Sequence, residues 1–546
     1  VYMGRKAAEG IDLFLRGEDH DQTLDVVSQR VDQPDSLFEH YEKHERQQPV
    51  FLEPTVRTTN HLEVDTGFTD EQAVEEATRC LSCGCQDVFE CKLKRYMDEY
   101  QVDPQRYAGE THDYAVDESH EHIRRDPNKC VKCGKCVEVC EHDRALAVFG
   151  FSSRGFDANI GPVLDKPMQQ TMCEACGDCV AVCPVGALTE KTPLDKPGPY
   201  DTVPADSTCA GCSLGCEVGV HALADQIIRV TPREDGWNDV HMCRKGRFEW
   251  VDANAAAPVV DREAALAELS SKLAGGRIVL GSDCTNEEAV LARAVAAKLD
   301  GEVGWLAPGA VAHAAQNAAV DAASGTPTLA ELATCQDIVV VGADLGEGFP
   351  VAGVMLRRAI MHGAEGKYAG CTGPRAGTSR ELAIDDRAAM TEILAREGAV
   401  LVMGPGAGDL TALVAETGCQ VLPRRSGGNA AGLDALGLSP VDTGALANGT
   451  PTLLLGDAPA DLPRPQAFFA VQSVAQAAKV AADLVLPRTH YLDDQGTIVA
   501  TDGRVCELRP TRPRPANWEL LRDLAVAVGA DVDVEAALAE ARALQV

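Results

Sequence analysis

The sequence predicts a multi-domain chain, α+β in its first half and layered α/β in its second. Three observations carry that prediction. The 21 cysteines are unevenly spread: sixteen fall between Cys80 and Cys243, and five are scattered over the rest. Inside the cysteine-rich part a short stretch recurs, CVKCGKCVEVC at 130–140 and CEACGDCVAVCP at 173–184. Beyond it the chain turns Ala-, Gly- and Val-rich, and strand-like runs alternate with helix-like ones, the pattern of parallel sheets between helices.

Length and charge bound the rest. The chain has 546 residues, enough for three or four domains. At 45% hydrophobic residues it can bury a sizeable core. With 83 acidic against 50 basic residues the formal charge is −33, which repels a phosphate backbone and excludes nucleic acid as a partner. No apolar run approaches the ~20 residues of a membrane helix, and no signal-peptide or twin-arginine pattern opens the chain. A reducing cytoplasm is therefore expected, where clustered cysteines mean metal rather than disulfides.

Four segments follow in order. Residues 1–110 begin with VYMGRKAAEGIDLFLRG (1–17), an amphipathic helix. TDEQAVEEATRC follows, a second helix capped by Thr69 or Asp70. It leads into CLSCGCQDVFEC, which places Cys80, Cys83, Cys85 and Cys91 within twelve residues. Four thiolates so close suit a 4Fe–4S cube, with zinc left open.

Residues 111–195 hold the repeat. Both copies read C-x2-C-x2-C-x3-C, the two-cluster ferredoxin pattern, in which the fourth cysteine of each run serves the other cluster. Cys130, Cys133, Cys136 and Cys183 are thus expected on one cube, and Cys173, Cys176, Cys179 and Cys140 on the other. Gly134 and Gly177 let the backbone pass close to the inorganic core, and Pro184 turns the chain after Cys183. Zinc fits this spacing poorly.

Residues 196–255 carry STCAGCSLGC and then CRKGR, spacing Cys209, Cys212, Cys216 and Cys243 as C-x2-C-x3-C-x26-C around a strand at DQIIRV (225–230). A third cluster is expected there. Lys245 can offset its charge and stand on an electron path, or be an ordinary surface lysine. Sixteen cysteines then form four quartets, four 4Fe–4S clusters in all.

Residues 256–546 supply the α/β body. Its five cysteines, Cys284, Cys335, Cys371, Cys419 and Cys506, are widely spaced and read as buried apolar residues. His313 and His490 read as surface or internally satisfied histidines. GEGFPVAG (346–353) and GPGAG (404–408) lack a dinucleotide fingerprint and read as fold geometry.

These motifs carry three resemblances. Residues 120–250 resemble the large iron–sulfur subunit of respiratory complex I, a run that also occurs in iron-only hydrogenases and formate dehydrogenase subunits. The N-terminal 2Fe–2S domain and histidine-ligated cluster of that family are not visible. VYMGRKAAEGIDLFLRG is similar to the last helix of the flavin domain in the glutamate synthase small-subunit family, and EATRCLSCGC to its iron–sulfur segment. Either the flavin body is a separate polypeptide, or the sequence, which opens with Val1, starts partway along a longer one.

Residues 251–546 resemble a shortened molybdopterin oxidoreductase body, through SDCTNEEAVLARAVAAKL (282–299), DIVVVGADLGEGFPVAGVMLRRAI (337–360), LVMGPGAGD (401–409) and AADLVLPRTHYLDDQGTIVATDGRV (481–505). The metal-ligating cysteine of the formate dehydrogenase branch has no counterpart in 301–319. The resemblance therefore implies a scaffold without molybdenum or tungsten pterin.

Together these readings imply an electron-relay subunit with no substrate site of its own. FAD or FMN would sit in a partner or missing domain. The expected partners are a flavin/NAD(P)H-binding subunit, other iron–sulfur or catalytic redox subunits, and ferredoxin. The alternatives are a molybdenum- or tungsten-pterin catalytic subunit such as formate dehydrogenase, and an assembly platform.

Overall fold

The computed structural model describes residues 2–17, 39, 42–80, 85, 87–103, 106, 109–191, 199–255, 258–307, 309–346, 348–371, 380–382, 386–425, 427–456, 462–474 and 481–544. The chain divides into two compact units. The first is Val1–His112 with Pro184–Gly186 and Lys196–Asp201, and the second is Asp113–Cys183, Ala187–Asp195 and Thr202–Val546.

The first unit is built from local structure. Helix Tyr2–Arg16 carries an Arg16–Asp12 ion pair at 2.7 Å and leaves Ile11, Phe14 and Leu15 exposed. Val50–Phe51 pairs antiparallel with Asp65–Gly67. Helix Asp70–Ala77 starts at Thr69, whose hydroxyl accepts from Gln72 N–H while the Gln72 side chain returns to the Thr69 N–H, a complete capping box. Helix Lys92–Glu99 starts at Cys91. Neither of the last two helices buries a residue, so caps and backbone hydrogen bonds, rather than an apolar core, hold their ends.

The second unit opens with the repeat. Two short helices, Lys135–Glu138 and Asp178–Ala181, follow Gly134 and Gly177, and two antiparallel pairs flank them: Ile123–Arg125 with Leu188–Glu190, and Phe149–Ser152 with Asn159–Pro162. A three-stranded antiparallel sheet follows, Ala205–Thr208, Glu217–Leu223 and Gln226–Pro232.

The body consists of two parallel sheets with helices. The six-stranded sheet runs in the order Ser439–Val441, Glu302–Leu306, Arg277–Leu280, Thr452–Leu455, Phe469–Ser473 and Leu484–Pro487. The five-stranded sheet runs Arg380–Leu382, Glu365–Ala369, Asp337–Val341, Val400–Met403 and Gln420–Pro423. The central strands are buried on both faces along their whole length and are apolar except at Arg277 and Thr452, as parallel sheets require. Val218, Val220, Val230 and Cys216 share one apolar cluster with Ile338, Val340 and Leu356, so the three-stranded sheet and the body close over a continuous core. Among the described residues, no helix is long and apolar enough to cross a membrane.

Candidate metal centres

The two copies of the repeat fold alike because their backbones turn at equivalent points. Lys132 and Ala175 take positive φ (57° and 55°), as do Gly134 and Gly177 (79° and 75°). Two left-handed residues within five wrap each loop tightly and turn backbone N–H groups toward sulfur. Lys132 N–H donates to Cys130 Sγ at 3.4 Å, and Val148 N–H to Cys140 Sγ at 3.4 Å.

The thiols gather crosswise. Burial pushes Cys136 up to about 12, followed by the charge of Cys130, Cys183 and Cys133. Cys179 is pushed well up, first by burial, then by Cys176, Cys173 and Cys140, with Cys136 beyond. A small cavity is lined by Cys140, Cys173, Cys176 and Cys179 together with apolar Ile123 and Phe149. The fourth cysteine of each run therefore lies with the other run's first three.

The third group forms at one end of the three-stranded sheet. Burial and then Cys243 push Cys209 to about 11, and Cys212 to about 12 with Cys209 adding further. Cys216 is pushed well up by burial, then by Cys212, Cys209 and Cys243. The body encloses this loop. Arg504 Nη2 donates to Leu214 O at 2.9 Å and Thr501 N–H to Ser213 O at 2.7 Å. Tyr491 Oη lies 3.6 Å from Cys209 Sγ. A Cβ on Gly428 would stand 2.3 Å from Ala210 O, so only glycine admits that approach.

The donor sets fit iron–sulfur cubes. Burial raises the thiols of Cys136, Cys176, Cys179, Cys209, Cys212 and Cys216, which favours their protonated form when bare, and bound iron would stabilise them as thiolates. Among the described residues no three His, Cys, Asp or Glu side chains converge on a single ion.

Of the fourth group, Cys80 and Cys85 are exposed and Cys91 is partly buried. Cys91 Sγ caps its helix by accepting from Lys94 N–H at 3.4 Å. Cys83 lies outside the described residues, as do its neighbours Leu81, Ser82 and Gly84.

A buried polar bridge joins the second and third groups, and sequence reasoning missed it. Asp178 sits between Cys176 and Cys179. Its carboxylate takes Arg144 Nε at 2.7 Å, His241 Nδ1 at 2.7 Å and Met242 N–H at 3.3 Å. Arg144 also donates to Met242 O at 2.5 Å. Burial raises the Asp178 carboxyl, but Arg144 and His241 outweigh it and hold it well below the usual carboxylate range. Removing one member of such a pair costs about 3–5 kcal/mol. The available signal was an asymmetry between the repeats: Asp178 stands where the first copy has Lys135.

Lys245 is exposed and lines a cavity of about 580 Å³ together with Cys173, Cys176, Cys243, His120 and Arg144. The cysteines of two groups thus reach one solvent-open space.

The TNEE segment is a structural joint. Thr285 caps helix Asn286–Lys298 with a full capping box to Glu288. Asn286, Glu287 and Glu288 are completely buried. Glu287 accepts from Thr497 N–H at 2.7 Å, Glu288 from Arg488 Nη1 at 2.7 Å, and Asn286 from Asn429 Nδ2 at 2.9 Å. Four of the five outlying cysteines are buried, and Cys335 is partly so. His313 is buried and paired with Asp434 at 2.6 Å. His490 accepts from Leu492 N–H at 3.3 Å, and burial followed by Arg512 and Arg488 pushes it down to about 4.

Two domain models match the cysteine region. Residues 121–189 match the ferredoxin-like domain of NADH-quinone oxidoreductase subunit 3, and residues 204–254 match the molybdopterin oxidoreductase Fe4S4 domain. The NADPH-Fe(3+) oxidoreductase subunit alpha of Geobacter sulfurreducens is 32% identical over 24% of this chain and 15% of its own. An NADH-quinone oxidoreductase subunit of Rhizobium meliloti is 31% identical over 27% of this chain and 18% of its own. The NADP-reducing hydrogenase subunit HndD of Solidesulfovibrio fructosivorans is 32% identical over 26% and 25%. The chain spans between 15% and 34% of the length of the curated relatives it matches. The repeat, the crosswise thiols and the third cysteine group thus fall in two stretches that match iron–sulfur domain models, residues 121–189 the ferredoxin-like domain of NADH-quinone oxidoreductase subunit 3 and residues 204–254 the molybdopterin oxidoreductase Fe4S4 domain.

Proposed function

We propose that this chain is an electron-relay subunit of a multi-subunit, cytoplasmic, NAD(P)H-linked oxidoreductase. Cys130, Cys133, Cys136 and Cys183 hold one 4Fe–4S cluster; Cys140, Cys173, Cys176 and Cys179 a second; Cys209, Cys212, Cys216 and Cys243 a third; and Cys80, Cys83, Cys85 and Cys91 a fourth. When bound, each cluster takes up and releases one electron. The four-part division 1–110, 111–195, 196–255 and 256–546 follows these groups. A flavin-bearing, NAD(P)H-binding partner or missing domain supplies electrons or receives them, and ferredoxin or a further redox subunit stands at the other end.

The observation that supports this reading is the Asp178–Met242 contact at 3.3 Å. It holds the residue before Cys179 against the residue before Cys243. The chain's own residues bury Cys136, Cys140, Cys179, Cys209 and Cys216, point N–H groups at sulfur and keep the body packed over the third loop, which is the work of a relay rather than of a substrate site. Lys245, at the cavity both groups reach, lies where a cation eases electron entry.

The pterin-enzyme alternative leans on TNEE and CRKGR. The TNEE carboxylates are already committed to Thr497 and Arg488, so packing accounts for that match. Low-temperature EPR of the anaerobic, dithionite-reduced protein tests the relay. The expected result is several magnetically coupled 4Fe–4S signals. Isolated, uncoupled signals would contradict it.

A further inference from the structure

Arg247 lies one helical turn beyond Cys243, on helix Arg244–Phe248. It is 1% exposed. Its Nη1 donates to Glu190 Oε1 at 2.9 Å, whereas Nε and Nη2 are buried with no hydrogen-bond partner among the described residues. A buried guanidinium with two open donors is costly, because each donor has given up water for nothing. Its surroundings indicate what could repay them. A Cβ placed on Gly177 would stand 2.2 Å from Arg247 Cδ and 2.5 Å from Nε. The guanidinium stem therefore rests on the loop between Cys176 and Cys179. Asp178, the carboxylate of that loop, is already engaged by Arg144 and His241.

We propose that the open donors of Arg247 serve the sulfurs of the cluster held by Cys140, Cys173, Cys176 and Cys179, making Arg247 a positioning residue that ties the third group's helix to the second group's loop and raises that cluster's potential. The inference rests on the relay reading. The chemistry is direct: a cation with two N–H groups favours the reduced, more negative cluster over the oxidised one. Gly177 then has two reasons to be glycine, its φ of 75° and the arginine lying on it.

The test is an anaerobic EPR redox titration of the full chain, with the second cluster's signal identified as the one lost in Cys173→Ala. Glu190→Gln leaves the open donors in place and should not lower that potential. The double variant Arg247→Met/Glu190→Gln keeps the apolar stem and leaves no unpaired carboxylate. It should lower the equilibrium constant for reducing this cluster about tenfold, which is about 59 mV for one electron. An iron-replete double variant with an unchanged potential, or with the shift confined to the 209–243 cluster, overturns the proposal. If the double variant loses iron, Arg247→Lys decides: it retains the charge but not the fork, so a smaller downward shift supports the proposal and an unchanged potential overturns it. Failure of the relay reading would be separate, appearing as absent 4Fe–4S signals in the unmodified protein.

Discussion

Tyr491 Oη lies 3.6 Å from Cys209 Sγ, bringing a hydroxyl from the α/β body onto a sulfur of the third cysteine group. Burial, and then the charge of Cys209, push the phenol well above its ordinary range, so it stays a donor. Once Cys209 is a thiolate, its sulfur can only accept. Tyr491→Phe should keep full iron content and lower the potential of the 209–243 cluster by on the order of 20–60 mV, the equivalent of one hydrogen bond of roughly 0.5–1.5 kcal/mol. EPR redox titration reads this directly.

The close approach of Gly428 to Ala210 makes a second prediction. A methyl group there meets a backbone oxygen at 2.3 Å, and neither strand of chain can yield as a flexible side chain would. Gly428→Ala should part the body from the third loop and cost about four irons per chain, while the signals of the other clusters persist. Iron analysis beside EPR distinguishes this from general unfolding.

Crosswise ligation gives a third. Cys183 lies with Cys130, Cys133 and Cys136, and Cys140 with Cys173, Cys176 and Cys179. Cys183→Ala should therefore abolish the same EPR signal as Cys133→Ala, and Cys140→Ala the same signal as Cys176→Ala. Local ligation within each run would give the opposite pairing.

His221 gives a pH prediction. Burial, and then Arg229, push it down to about 4, against roughly 6.5 for an unfolded histidine. Between those values the unfolded chain binds a proton that the folded chain refuses. Stability is therefore flat above pH ~6.5 and falls as pH drops toward ~4, by up to about 3 kcal/mol from this group. His221→Gln can still bond Thr202 and Thr231, its neighbours at 2.9 and 3.2 Å. It should flatten this part of the profile in urea unfolding between pH 7 and pH 5.

Features set by neighbours in sequence were legible, and features set by distant chain were not. Thr69 as a helix cap, the strand at 225–230 and the helix after Thr285 depend on a few adjacent residues. The C-x2-C-x2-C-x3-C spacing was itself a local pattern, and it coincides with the stretch that matches a ferredoxin-like domain model. By contrast, Arg144 reaches Asp178 across 34 positions and Met242 across 98, and no local pattern reports such contacts. The TNEE helix was visible, but the burial of Glu287 and Glu288 was not. Carboxylates on a helix ordinarily face water, and Thr497 and Arg488, some 200 residues on, help make their burial tolerable. Lys132 and Ala175 show the same limit: their left-handed backbone follows from the loop's closure, not from their residue type.

On the relay reading, sixteen cysteines carry four iron–sulfur clusters beside a body that serves as scaffold. Elemental analysis of the anaerobically purified native protein for iron, molybdenum, tungsten and zinc tests it most directly. About sixteen irons per chain, without stoichiometric molybdenum, tungsten or zinc, are expected. Stoichiometric molybdenum or tungsten would contradict it and make the body a working pterin site, and about twelve irons with one zinc would remove the 80–91 group from the relay.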